Sequence, residues 1–201
     1  MRLSTRRMSA LALAAITALT LGACGDSADD AEESDDTTTS EAADAGPVEV
    51  TLVDYGFQGL PDSVAAGTKF TVTNSSTAEL HEFVAFKIPE SETRSAEEIL
   101  ALPEEEGQAA LGGPPAAVLI GPPGGGEMIA AVGDGTLSEP GRYLVACFIP
   151  TGANPQEYLE AAAESQGGPP QVEGGPPHFT KGMRAEITVT SSNKARGGMA
   201  A

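Results

Sequence analysis

The chain has 201 residues, 29 acidic against 11 basic, and a formal net charge of −18 at pH 7. A surface this acidic repels nucleic acid and anionic lipid, so a charged macromolecular partner has to be basic. Aromatic residues make up 4% of the chain and Trp is absent, so a folded part has to be built on Val, Leu, Ile and a few Phe. The length suits one domain with a modest core.

Arg2, Arg6 and Arg7 precede an apolar stretch from Leu11 to Leu21 that is short for a bilayer span, which reads as a secretory leader. The stretch ends Leu21-Gly22-Ala23-Cys24 and resembles a bacterial lipobox. That resemblance implies removal of residues 1–23, lipid on Cys24, and an extracytoplasmic protein anchored to the cell membrane. Residues 25–46 contain no Val, Ile, Leu or aromatic residue and read as a disordered acidic tether running from the lipidated Cys24. Residues 191–201 read as a disordered tail. With Cys24 given to lipid, Cys147 is the one remaining thiol, so a disulfide within the chain is excluded. A lone thiol outside the cytoplasm invites oxidation, and metal ligation would account for it.

From Pro47 the pattern changes to short strands. Val48, Val50 and Leu52 alternate with Glu49 and Thr51, and Phe70 and Val72 alternate within 68–73 after a turn at Gly67. Further strands are expected at 81–88, 127–132, 142–148 and 184–190, with Pro140-Gly141 turning the chain into the fifth of the six. Six or more short strands separated by turn signals imply an all-β sandwich with Greek-key connections over 47–190. Two helical insertions interrupt it. At about 93–108, Ser95-Ala96-Glu97-Glu98 has the capping-box pattern, and the acidic run Glu104-Glu105-Glu106 reads as solvated surface. At about 151–174, Asn154-Pro155 starts a helix through Tyr158 and Leu159. Gly-Gly-Pro-Pro recurs at 112–115, 167–170 and 174–177, too irregularly for a solenoid, and reads as hinges flanking the insertions or as loop drift. On this basis the second insertion is expected to bulge away from the sandwich.

Nothing in the chain has the spacing of a Ser/His/Asp nucleophile elbow, a phosphate-cradling Gly loop or a Cys pair for zinc. The chemistry-bearing residues are four. His81 opens the third expected strand, Cys147 closes the fifth, and His178 stands four residues before Gly182-Met183. Two neutral imidazoles, a thiolate and a weak thioether are the donor set of a copper centre with a long axial Met. Taken singly, each has a plainer reading: a satisfied structural His, a small buried Cys, a packed Met. Their order and the His178-x₄-Met183 spacing resemble the blue copper proteins, the plastocyanin- and azurin-like cupredoxins.

The resemblance implies one type 1 copper held by His81, Cys147 and His178 with Met183 axial. It implies an electron carrier rather than an enzyme, exchanging electrons with a redox partner through a partly exposed second His. Gly182 fits the sharp return into the last strand. Two features depart from the family pattern. Thirty residues separate Cys147 from His178 where the family has a very short loop. A loop about tenfold longer costs only about 2 kcal/mol in closure entropy, against metal binding on the order of 10 kcal/mol. The other is Glu82, where a small polar residue often follows the first His; on a strand it should point opposite to His81, and its role is not legible in the sequence. Copper capture or delivery, or a metal-free envelope module of the same fold, are the alternative readings.

Overall fold

The computed structural model describes residues 46–165 and 169–192. The leader, Cys24, most of the tether and residues 193–201 lie outside the described residues. Two sheets face each other: a four-stranded one in the order β2-β1-β4-β8 and a six-stranded one in the order β3-β10-β9-β5-β6-β7. The strands are β1 (Val48–Val53), β2 (Gly56–Gln58), β3 (Ser63–Ala65), β4 (Thr68–Asn74), β5 (His81–Lys87), β6 (Ala117–Gly121), β7 (Ile129–Val132), β8 (Thr136–Leu137), β9 (Gly141–Ala146) and β10 (Arg184–Thr190). β1 runs parallel to β4, and β5 lies antiparallel between β6 and β9, so the chain crosses between sheets as a Greek-key sandwich requires.

The inward positions that the alternation predicted, Val50 and Leu52 of β1 and Phe70 and Val72 of β4, are buried in the space between the sheets. They meet Phe83, Ala85, Leu119, Tyr143, Val145 and Ile187 from the other sheet. Phe70 stacks on Phe83 at 5.2 Å between ring centroids. Each large side chain taken fully out of water here contributes about 1.5–3 kcal/mol.

All six expected strands form, and four others join them. The most consequential addition is β6. Its run Ala117-Val118-Leu119-Ile120-Gly121 has no alternation, because a strand buried on both faces has no polar side to display. Gly121 is required there by close approach: a Cβ would lie 3.0 Å from both Asn74 Cβ and Leu52 Cδ1. β5 and β9 are likewise buried on both faces, since α1 (Ala96–Leu100) and α2 (Glu104–Leu111) cover the outer side of the six-stranded sheet. Ile99, Ala96 and Leu111 pack there with Leu144, Ala146 and Ile88. Ser95 forms both halves of the capping box with Glu98, and the Ala96 N–H donates to Glu186, which also pairs with Arg142. The acidic run at 104–106 supplies the first turn of α2, where negative charge suits the helix N-terminus.

α3 (Pro155–Glu164) starts as expected, with Asn154 Oδ1 accepting from the Gln156 and Glu157 amides. Its placement corrects the expectation of an excursion. Tyr158 is 4% exposed and belongs to the main core, and Leu159 and Ala162 pack against it. The ends of the segment are pinched together by hydrogen bonds from Thr151 N to Pro176 O and from Gly175 N to Thr151 O, and by a Pro150–Pro177 bridge.

Candidate metal centre

Cys147 is the first residue after β9, and its amide donates to the Met183 carbonyl at 3.1 Å. His81 is the first residue of β5. His178 opens a single 3-10 turn, His178–Lys181, which is closed by Gly182 at φ 117°. An L-residue at that φ would be strained, so the sharp return expected of Gly182 is what the backbone makes. The turn is sewn to the Cys147 strand end by hydrogen bonds from His178 N to Ile149 O and from Phe179 N to Cys147 O. Met183 N in turn donates to His178 O. Backbone ladder and turn thus bring together positions 31 residues apart.

His81, Cys147 and His178 converge, each fully buried. His81 Nδ1 lies 3.1 Å from His178 Nδ1, and His178 Nδ1 lies 3.3 Å from Cys147 Sγ. Nitrogen and sulfur donors held about 2.0–2.3 Å from one cation stand about 3.3–3.7 Å apart, so the triad needs little movement to close on a metal. Two Nδ1 atoms cannot both present lone pairs to each other at this distance without a proton or a cation between them. The donor set and its convergence therefore fit a single transition-metal ion. Met183 is also fully buried and is tied through its backbone to both Cys147 and His178.

Burial disfavours charge on two of the three groups. Burial pushes the Cys147 thiol well above its ordinary value, with the nearby Glu82 adding to the effect. Burial, then the neighbouring His81, lowers His178 to about 4. The neutral His178 imidazole is a ready donor, whereas the thiol has to release its proton as a cation enters.

Sequence reasoning missed the residues around the triad. Asp54 Oδ1 lies 3.1 Å from His81 Nε2, which turns the ring so that Nδ1 faces inward. Tyr55, at φ 65°, sets its ring edge-on to both imidazoles, 5.2 Å from His178 and 6.5 Å from His81. Lys181 Nζ lies over the Tyr55 ring at 4.5 Å. Glu79 Oε2 stands 3.5 Å from His178 Nε2 but off the hydrogen-bonding direction, so that buried nitrogen has no partner. These groups correct the expectation of a partly exposed second His: His178 is 0% exposed. Asp54 and Tyr55 carry no sequence signal beyond ending a strand; the non-glycine turn at 54–55 is visible only in the backbone.

Glu82 is the largest surprise. It is 3% exposed, and burial raises it to about 7. Strand alternation would send its carboxyl group away from His81 and into water; instead the group is buried. Its amide donates to Cys147 Sγ at 3.4 Å. Its two carboxylate oxygens accept from Phe148 N at 3.0 Å and from the Tyr158 hydroxyl at 2.9 Å.

No protein-family model matches the chain, and no curated protein matches it. Among solved structures it is similar to a dithionite-reduced auracyanin from Roseiflexus castenholzii, at 20% identity over 73% of this chain and 98% of that one, with a TM-score of 0.36. It is similar also to auracyanin A, a "blue" copper protein from Chloroflexus aurantiacus, at 17% identity over 72% of this chain and 100% of that one, TM-score 0.36. Auracyanin B matches at 16% identity over 73% of this chain and 89% of that one, TM-score 0.30.

Proposed function

We propose that the chain is a type 1 copper protein that carries electrons, held outside the cytoplasm at the membrane by lipid on Cys24. The observation that carries the copper assignment is the buried convergence of His81 Nδ1, His178 Nδ1 and Cys147 Sγ within 3.1–3.3 Å for successive pairs. His81, His178 and Cys147 would hold the ion, with Met183 as a further, weaker donor. Bound there, copper would supply reversible one-electron chemistry, with its potential set in part by the weak thioether donor. The protein's own part is to hold the donors at nearly fixed spacing and to keep water out. Asp54 orients His81, the Glu82 amide steadies the sulfur, and Tyr55 and Glu79 close the outer side. A buried site whose donors already converge suits a carrier rather than a turnover enzyme.

Copper capture and delivery would use the same ligands. Complete burial of all four residues favours retention over ready release, so the carrier reading is preferred. The net charge of −18 supports a redox partner with a basic docking surface, and nucleic acid is not an expected partner. The leader and Leu21-Gly22-Ala23-Cys24 support the anchored, extracytoplasmic placement.

Addition of Cu(II) to the purified protein, followed by visible and EPR spectra, tests the copper assignment. Intense blue-to-green absorption from a copper–thiolate bond is expected; a colourless protein would remove it. Reversible oxidation and reduction without copper loss supports the carrier, whereas rapid loss of Cu(I) to a competing chelator supports delivery. For the anchor, Cys24→Ala should abolish metabolic lipid labelling, and unchanged labelling would overturn it.

A further inference from the structure

We propose that Tyr158, carried on α3 in the long segment between Cys147 and His178, is a positioning residue for the metal centre and acts through Glu82. The proposal rests on the copper reading above. Glu82 joins three parts of the site at once. Its amide reaches the Cys147 sulfur, one carboxylate oxygen holds the amide of Phe148 just beyond Cys147, and the other takes the Tyr158 hydroxyl. Tyr158 is the sole side-chain donor to this carboxylate among the described residues. Without that hydroxyl a wholly buried oxygen loses its partner, and such a group turns or shifts to find another. Glu82 cannot turn freely, because it follows His81 on β5 and holds the strand end at Cys147.

Tyr158 is itself placed by independent means. Asn154 caps the helix one turn upstream, Ala153 is buried, and Leu159 and Ala162 pack on the core. The same segment reaches the other side of the site through Gly152, whose amide donates to the Glu79 oxygen facing His178 Nε2. A segment long enough to leave the ligand loop loose is thereby folded back and fastened on both sides of the triad. The length that set this chain apart from short-loop copper proteins becomes part of the support of its site.

The test uses the full chain and compares Tyr158→Phe, which removes one oxygen, with Glu82→Gln. The latter keeps an oxygen for the Phe148 amide and an NH₂ that can donate to the Tyr158 oxygen. Three readouts apply: the visible and EPR spectra with Cu(II), the rate of copper loss to a chelator, and limited proteolysis of the 151–177 segment without copper. Tyr158→Phe should alter the relative intensities of the copper–thiolate bands, speed copper loss several-fold, and speed cleavage of the segment by a similar factor. Glu82→Gln should shift all three in the same direction as Tyr158→Phe but less, because it keeps a partner for the Phe148 amide and for the Tyr158 oxygen. If Tyr158→Phe folds poorly, the double variant Tyr158→Phe/Glu82→Gln removes the stranded carboxylate while leaving the ring. It should fold and still show the altered bands. A parent-like spectrum and copper-loss rate in whichever of these variants folds would overturn the positioning role alone. A parent that stays colourless with Cu(II) would overturn the copper reading and this proposal with it.

Discussion

The two helical insertions start from nearly the same sequence grammar and end in different jobs. Both open with a capping side chain, Ser95 in one and Asn154 in the other, and both are bordered by Gly and Pro. The 95–111 insertion lies on the outer face of the six-stranded sheet and joins it by apolar contact through Ile99 and Leu111, helped by Glu186 and Arg142. The 151–177 insertion is fastened to the supports of the site by directed polar bonds, a buried one from Tyr158 to Glu82 and an exposed one from Gly152 to Glu79. Apolar contact is non-directional and stabilises the fold as a whole, whereas a hydrogen bond fixes one group against another. The first insertion should therefore govern stability and the second the metal site.

The largest effect concerns the site that both insertions surround. Cys147→Ser should abolish the intense visible band of the copper-loaded protein, since that band needs a thiolate on the metal; a retained band would leave the comparison without its centre. His81→Ala and His178→Ala should each weaken or reshape binding by opening the plane of donors.

Ile99→Ala separates the two insertions most directly. Ile99 is 1% exposed in the outer cluster, so its truncation should cost about 2–5 kcal/mol of stability. Denaturant unfolding measures that cost, and the copper spectrum should not change. A spectral change of the kind expected for Tyr158→Phe would erase the distinction.

A pH series on the copper-free protein sharpens it further. The folded state raises Glu82 from 4.5 to about 7, so that carboxyl's contribution is complete below about 4.5 and is lost as pH rises toward 7. His178 is lowered from 6.5 to about 4, so stability is lost as pH falls from 6.5 toward 4, where the unfolded chain takes the proton that the folded one refuses. The two slopes oppose each other between about 4.5 and 6.5. Glu82→Gln removes one of them, and its thermal midpoint should climb with pH across that window more steeply than the parent's. Parallel profiles would mean that Glu82 is not held protonated in the folded state.

Smaller effects come from the caps. Ser95→Ala and Asn154→Ala should each cost about 1 kcal/mol. Asn154→Ala alone should also hasten copper loss to a chelator, and equal copper retention in the two variants would count against the division of labour. Among the four candidate donors Met183→Leu should be the mildest, costing under about 1.5 kcal/mol because the swap nearly conserves volume. Copper should stay bound with its potential shifted upward, as voltammetry would read; a loss of colour comparable to Cys147→Ser would rule out a weak axial role.

What the sequence determined by itself is considerable. The alternation of Val48, Val50 and Leu52, and of Phe70 and Val72, specified strands and their inward faces, because period-two burial is a local property. Ser95 and Asn154 specified helix starts for the same reason. Four residues of three types in a characteristic order singled out His81, Cys147, His178 and Met183 as candidate donors, since donor chemistry is written in the side chains. Tertiary structure decided the rest. β6 was invisible because burial on both faces removes the alternation that marks a strand. The buried His178 edge depends on Tyr55 and Glu79 arriving from other strands and turns, and no spacing along the chain encodes that meeting. Glu82 and Tyr158 stand 76 positions apart. Each alone reads as a surface acid and a helix aromatic, and only folding puts a carboxylate and a hydroxyl in the same dry space, where each needs the other.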